Sequence, residues 1–221
     1  MAYILNIETS TTNCSVAISY NGEQISLKED NNKQYSHAER LHLYIDDVLK
    51  QAKINSKRLD AISVSKGPGS YTGLRIGISA AKGLCYALDI PLLSIPTLEV
   101  LAHRIQIKEG YIIPILDARR MEIYSAVYDE KYFCIEPTSA KVLDKLSFEN
   151  LIKRKQVYFV GNATEKTEYT LKQNNAKFIN KLPSASQMCL ISFEKFKLKQ
   201  YEDVAYFEPF YLKDFISFSS K

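Results

Sequence analysis

Histidine and cysteine are scarce in this chain, and neither is spaced for chemistry. Its 221 residues hold three histidines and four cysteines. His37 and His42 are five residues apart, so on a helix they diverge by about 140° and cannot share a metal ion. His103 has no second histidine within a helical turn. Cys14, Cys85, Cys134 and Cys189 form no C-x-x-C pair, which excludes the usual thiolate zinc site and dithiol redox centre. They read as reduced, mostly buried thiols of a cytosolic protein, and no metal is expected. Long apolar runs are missing too. No stretch approaches the roughly 20 residues that span a bilayer. Met1 to Ile7 is too short for a signal peptide, so a cytoplasmic protein without a membrane partner is expected. Charge of one sign is weak at +4, and the basic runs Lys153-Arg154-Lys155 and Lys195 to Lys199 read as solvated helix faces. There is no G-x-S-x-G elbow and no Walker loop, since Gly67-Pro68-Gly69-Ser70 is followed by Tyr71-Thr72-Gly73.

What the chain does have is an unusual helix within KGPGSYTGLRIGISAAKGLCYAL, Lys66 to Leu88. A glycine-rich turn runs into a helix that Ser70 can cap. Small residues then recur every fourth position at Gly73, Gly77, Ala81 and Cys85, leaving a shallow groove where another backbone can approach. The other faces carry Leu74, Ile76, Ile78, Leu84 and Leu88, with Arg75 and Lys82 the only charges. Such a helix is expected to be buried on nearly all sides. Gly73 and Gly77 each cost about 1 kcal/mol relative to alanine. Close packing accounts for them, either on the chain's own domain or on another protein.

Around this helix the pattern repeats in outline. Tyr3 to Glu8, Cys14 to Tyr20 and Gln24 to Lys28 read as strands, the last two joined by an Asn21-Gly22 hairpin turn. Ser36-His37-Ala38-Glu39 is a capping box opening a helix to Ala52, with the apolar stripe Leu41, Tyr44, Ile45, Val48 and Leu49. Leu59 to Ser65 and Leu92 to Ile95 are further strands, and Thr97 caps a helix expected to reach Ile107. A second series begins near Gly110. It has strands at Tyr111 to Leu116, Met121 to Tyr128, Lys131 to Ile135 and Val157 to Val160. Helices follow at Ser147 to Lys153 and Thr164 to Gln173, and the capping-box pattern Pro183 to Gln187 opens a last one. The expected fold is α/β in two related lobes, 1–109 and 110–221.

Two turns have the make-up of an anion site: Thr9 and Ser10 after the first strand, and Gly67, Gly69 and Ser70 at a helix N-terminus. Each reads equally well as a tight connection satisfied by its own hydroxyls. Glu8 and Asp117 end strands in the two series, where acids would serve an active ATPase or sugar kinase, and that alternative stays open. No catalytic residue emerges from the chemistry alone.

Several segments together carry a resemblance: Ile7-Glu8-Thr9-Ser10-Thr11 with Cys14-Ser15-Val16-Ala17, and Gly67 to Gly77. Ile115-Leu116-Asp117-Ala118-Arg119 with Glu122-Ile123-Tyr124, and Pro209 to Lys213, complete it. From Ile4 to Lys213 the chain resembles the TsaB (YeaZ) family. The resemblance implies a two-lobed actin-like, ribonuclease H-like fold with mixed sheets and flanking helices. It implies a non-catalytic dimerization and scaffold subunit, required with TsaD and the ATPase TsaE. Together they transfer threonylcarbamoyl to N6 of adenosine 37 in tRNAs that read codons beginning with A. The catalytic relative TsaD carries H-x-E-x-H where this chain has Thr97-Leu98-Glu99-Val100-Leu101, and neither threonine nor leucine replaces an imidazole ligand.

The family's partner surface is a bundle of the two first-lobe helices. Carried onto this chain, it implies Leu41, Tyr44, Ile45 and Val48 on one helix and Gly73, Ile76, Gly77, Ala80, Ala81 and Leu84 on the other, through either part of the Gly73, Gly77, Ala81, Cys85 groove or the neighbouring Ile76, Ala80 and Ala87 side. These would pack on TsaD, or on a second copy as a homodimer when TsaD is absent. Gly77→Leu is then expected to weaken association while folding survives. ATP or ADP is expected at the interface of the complex, not bound tightly by this chain, and tRNA is met indirectly.

Overall fold

The computed structural model describes residues 1–31, 37–171 and 174–213. The chain opens with an antiparallel meander of β1 (Tyr3–Glu8), β2 (Asn13–Tyr20) and β3 (Glu23–Asn31). Its two-residue hairpin places Asn21 at φ 51° and Gly22 at φ 87°, the left-handed pair that this turn requires. After α1 (His37–Ala52), β4 (Ala61–Gly67) joins β1 in parallel. Then α2 (Tyr71–Leu88) leads to β5 (Leu92–Pro96), parallel to β4, and α3 (Thr97–Ala102). The sheet order is β3-β2-β1-β4-β5.

The second sheet is built from β6 (Tyr111–Asp117), β7 (Glu122–Asp129), β8 (Cys134–Val142), β9 (Val157–Val160) and β10 (Ala176–Ile179). Its order, β10-β9-β6-β7-β8, repeats the first: three antiparallel strands, then two added in parallel. Helices α4 (Glu149–Ile152), α5 (Thr164–Leu171) and α6 (Ala185–Lys197) complete the chain. In the first lobe, alternate residues of central strands feed two cores. Leu5, Ile7, Val16, Ile18, Ile62 and Val64 meet α1 and α2. Ile4, Ala17, Ala61, Leu93 and Ile95 face the opposite way, toward α6. In the second lobe Phe159 is fully buried between Phe148 and Phe178, at centroid distances of 5.3 and 5.2 Å. Among the described residues no helix is long and apolar enough to cross a membrane.

Several elements differ from the sequence reading. The largest correction concerns α6, which packs on β1, β2 and β5 of the first sheet through Ala185, Met188 and Cys189. Beyond it Glu202 pairs with β5, its amide on the Leu92 carbonyl at 2.9 Å. Residues 185–213 therefore return to the first lobe, although the sequence groups 110–221 together. Helix α3 stops at Ala102 rather than Ile107, where His103 bonds the Glu99 carbonyl at 2.9 Å and stacks on Tyr132 at 3.9 Å. Strand β8 lies at Cys134–Val142, not Lys131 to Ile135, because the turn Asp129–Phe133 occupies the earlier residues. Strand β10 was not foreseen. Ser184 caps α6 through the Ser186 amide, but Gln187 accepts from Arg104 instead of closing the box. Ser36, the expected cap of α1, and the expected end of α5 at Gln173 lie outside the described residues.

Candidate functional site

The groove of α2 is filled from within. A Cβ built on Gly73 would fall 2.1 Å from the Thr9 carbonyl oxygen, and one on Gly77 would fall 2.2 Å from Thr9 Oγ1. The Thr9 hydroxyl donates to the Gly73 carbonyl at 2.8 Å, so the end of β1 lies in the groove. Ala81 and Cys85 are buried on the same face. Leu41, Tyr44, Ile45 and Val48 are likewise core residues of the first lobe. Of the residues the resemblance points to, Gly73, Gly77, Ala81, Leu41, Tyr44, Ile45 and Val48 are thus buried in this chain's own first lobe. An apolar stripe at helical spacing marks the side a helix turns to its own core. Ile76, Ala80 and Leu84 are half-buried at the edge of that core.

The other face of α2 is open. Thr72, Arg75, Ser79, Gly83, Tyr86 and Ala87 are exposed, and Tyr86 is 87% exposed. Ser79, Gly83 and Ala87 follow one another at four-residue steps, so they lie in one row. Among the described residues a Cβ on Gly83 would meet nothing within 4 Å. On α1 the exposed apolar residue is Leu43, 63% exposed. The sequence reading missed Gly83, although its position off the 73-77-81-85 ladder was the available signal.

At its N-terminus α2 borders a second feature. Ser70 caps the helix through the Gly73 amide at 3.2 Å, and its own amide donates to the Ser10 carbonyl at 2.7 Å. Gly69 lets these loops meet, since a Cβ there would lie 2.5 Å from the Ser10 carbonyl oxygen. The other glycine of the turn, Gly67, has φ 112°, and a Cβ on it would lie 2.7 Å from the Phe210 carbonyl oxygen. The chain after α6 passes this turn. Lys82 Nζ donates to the Ala205 and Phe207 carbonyls at 3.2 and 3.0 Å, and Arg75 Nε donates to the Tyr211 hydroxyl at 3.1 Å. Lys213 then pairs with Glu122 of the second lobe.

Between the lobes lies a cleft of about 730 Å³, lined by Ser10, Gly69, Ser70, Asp117, Arg119 and Arg120 among others. Beneath it Glu8 is fully buried. Its Oε1 accepts the Ser10 amide at 2.7 Å. Burial pushes its carboxyl up to about 7, against the lowering effect of the Ser10 hydroxyl and amide and the Ser65 hydroxyl. Asp117 is exposed and paired with Lys166. Burial also raises the Cys14, Cys85 and Cys189 thiols, to about 11, 12 and 12, which leaves them protonated and inert at neutral pH. Thr97 and Leu101 are buried in α3, and among the described residues no group of three His, Cys, Asp or Glu could hold a metal ion.

The family model described as TsaD, tRNA N6-adenosine threonylcarbamoyltransferase, matches residues 31–216. Two relatives are both described as tRNA threonylcarbamoyladenosine biosynthesis protein TsaB. The one from Buchnera aphidicola (Acyrthosiphon pisum) is 32% identical, over 89% of this chain and 90% of its own length. The one from Haemophilus influenzae is 28% identical, over 96% and 93%. Among solved structures, YeaZ from Pseudomonas aeruginosa superposes with a TM-score of 0.79 at 26% identity, covering 96% of this chain and all of that one. The two-lobed α/β architecture is that of YeaZ.

Proposed function

Because this chain belongs to the TsaB family of tRNA threonylcarbamoyladenosine biosynthesis proteins, we propose that it serves that pathway as a non-catalytic subunit that docks TsaD on the open face of α2. The observation that carries this reading is Gly83. A glycine within an exposed helix costs about 1 kcal/mol relative to alanine. Among the described residues no contact calls for it, since none lies within 4 Å of its would-be Cβ. A partner helix approaching closely along Ser79, Gly83 and Ala87 supplies the reason. Tyr86, on α2 itself, stands exposed as an aromatic anchor, and Leu43 is exposed on α1. Half-buried Ile76, Ala80 and Leu84 border it. In this reading the chain stabilises TsaD and breaks no bond itself. TsaE joins the larger complex, ATP or ADP sits at the shared interface, and tRNA is met through TsaD. The same face makes a homodimer when TsaD is absent, and the work is cytoplasmic.

Light scattering on a sizing column tests this, with the chain alone, TsaD alone and their mixture, each with and without ATP. A one-to-one complex that replaces the homodimer is expected. A chain that ignores TsaD under every condition contradicts the reading.

A further inference from the structure

The small-residue row Ser79, Gly83 and Ala87 is headed, four residues earlier, by Arg75, which is exposed as they are. Along its 18 residues α2 holds no aspartate or glutamate, and its charges are Arg75 and Lys82. Lys82 is committed to the chain's own tail, where its Nζ donates to the Ala205 and Phe207 carbonyls. Arg75 has no such commitment, and among the described residues no carboxylate forms an ion pair with it. The open face therefore carries one cation without a counter-charge, at the end of the row that admits a close approach.

An arginine left to solvent samples many rotamers, but this one is held. Its Cζ lies 4.0 Å from the ring centroid of Tyr71, one turn earlier on the helix. Its Nε donates to the Tyr211 hydroxyl at 3.1 Å, and the two tyrosine rings meet at 5.0 Å. Tyr211 is fixed in turn, because the Phe210 amide donates to the Lys66 carbonyl at 2.7 Å while Lys82 grips the tail from the helix. Aromatic faces and phenol oxygens orient a guanidinium without neutralising it. We propose that Arg75 selects the partner, by pairing with a carboxylate on the helix that docks along Ser79, Gly83 and Ala87, with Tyr211 as its positioning residue. This rests on the docking of TsaD along the Gly83 row. Arg75 is eight residues, or about 12 Å, from Gly83, so the acid belongs about two turns from the closest approach of the helices. The α2 helix of a second copy offers no such acid, so the pairing favours a different protein over self. An arginine already held in place loses little freedom on binding, which suits it to anchor a contact.

Calorimetric titration of TsaD into wild type, Arg75→Gln, Tyr211→Phe and the double variant tests this, at about 50 and 500 mM salt, beside a melt of each free chain. Arg75→Gln should melt within about 2 °C of wild type yet bind TsaD about tenfold more weakly at low salt. Its affinity should change little with salt, where that of wild type falls. Tyr211→Phe keeps the ring and the charge, so it should weaken binding by roughly threefold and retain the salt dependence. The double variant should bind no more weakly than Arg75→Gln, because Tyr211 acts through Arg75. Losses that simply add would make Tyr211 a contact of its own and overturn its positioning role. Wild-type affinity and salt dependence in Arg75→Gln overturn the proposal and leave the Gly83 row in place. A homodimer that loosens in Arg75→Gln while TsaD binding holds also overturns it, by assigning the acid to a second copy. A free Arg75→Gln chain that melts well below wild type does the same, by assigning the acid to this chain. A wild-type chain that ignores TsaD contradicts the docking reading and this one with it.

Discussion

On the inward face of α2 a methyl added at Gly73 or Gly77 would land 2.1 or 2.2 Å from Thr9, whereas on the outward face one added at Gly83 would meet no atom of the described residues within 4 Å. All three glycines weaken the helix alike, by about 1 kcal/mol each. The inward pair is compensated inside the chain, by β1 seated against the helix and the Thr9 bond to the Gly73 carbonyl. The outward one has no such compensation within the chain. A glycine filled by its own fold reports on packing, and a glycine left open reports on what comes from outside.

Substitutions should separate the two faces by what they damage. The largest effect is expected from Gly77→Leu, which drives bulk into Thr9 and should cost about 3 kcal/mol or more of folding stability in a denaturant melt. This replaces the expectation that Gly77→Leu spares folding; a stable Gly77→Leu chain would break the comparison. A similar size of effect is expected from the strand end that fills the groove. Glu8 titrates near 7 in the folded chain against an ordinary 4.5, so the folded state holds more protons between those values. Stability is then fully present below the ordinary carboxyl range and declines as pH rises through about 7, by up to about 3 kcal/mol. Glu8→Gln should abolish that slope in melts taken across the range, and an unchanged slope would assign it elsewhere. Smallest is Tyr86→Ala. It should leave the melt within about 0.5 kcal/mol of wild type and weaken TsaD binding by about 1 kcal/mol, measured by calorimetry.

The two faces were also unequally legible in the sequence. Internal packing stamps a period on a helix, which is why the ladder Gly73, Gly77, Ala81 and Cys85 stood out and why Leu41, Tyr44, Ile45 and Val48 read as a stripe. Whether a stripe faces a core or a partner has no local signature, so Gly73, Gly77, Ala81 and the α1 stripe, read as a partner surface, turn out to be core residues, while Ile76, Ala80 and Leu84 lie at the core's edge. Strand β1 was readable as a short apolar run, and β2 and β4 by large apolar residues at alternate positions with small serines between them. Strand β8 was misplaced because it is an exposed sheet edge, where Pro137 is tolerated and alternation is lost. The return of α6 to the first sheet rests on contacts between residues far apart in sequence, such as Ser15 with Ser184 and Ala185. The cleft was half visible. Ser10, Gly69 and Ser70 carried a local turn pattern, while Arg119, Arg120 and the tail from Phe210 join them only in three dimensions.

The most direct test of the central claim is the affinity of Gly83→Leu for TsaD, measured by calorimetry beside a melt of the free variant. The melt should match or exceed wild type, because leucine favours a helix over glycine by up to about 1 kcal/mol. Binding should weaken at least tenfold, or about 1.4 kcal/mol. Wild-type affinity in a fully folded Gly83→Leu chain would contradict the account and move the partner surface away from α2.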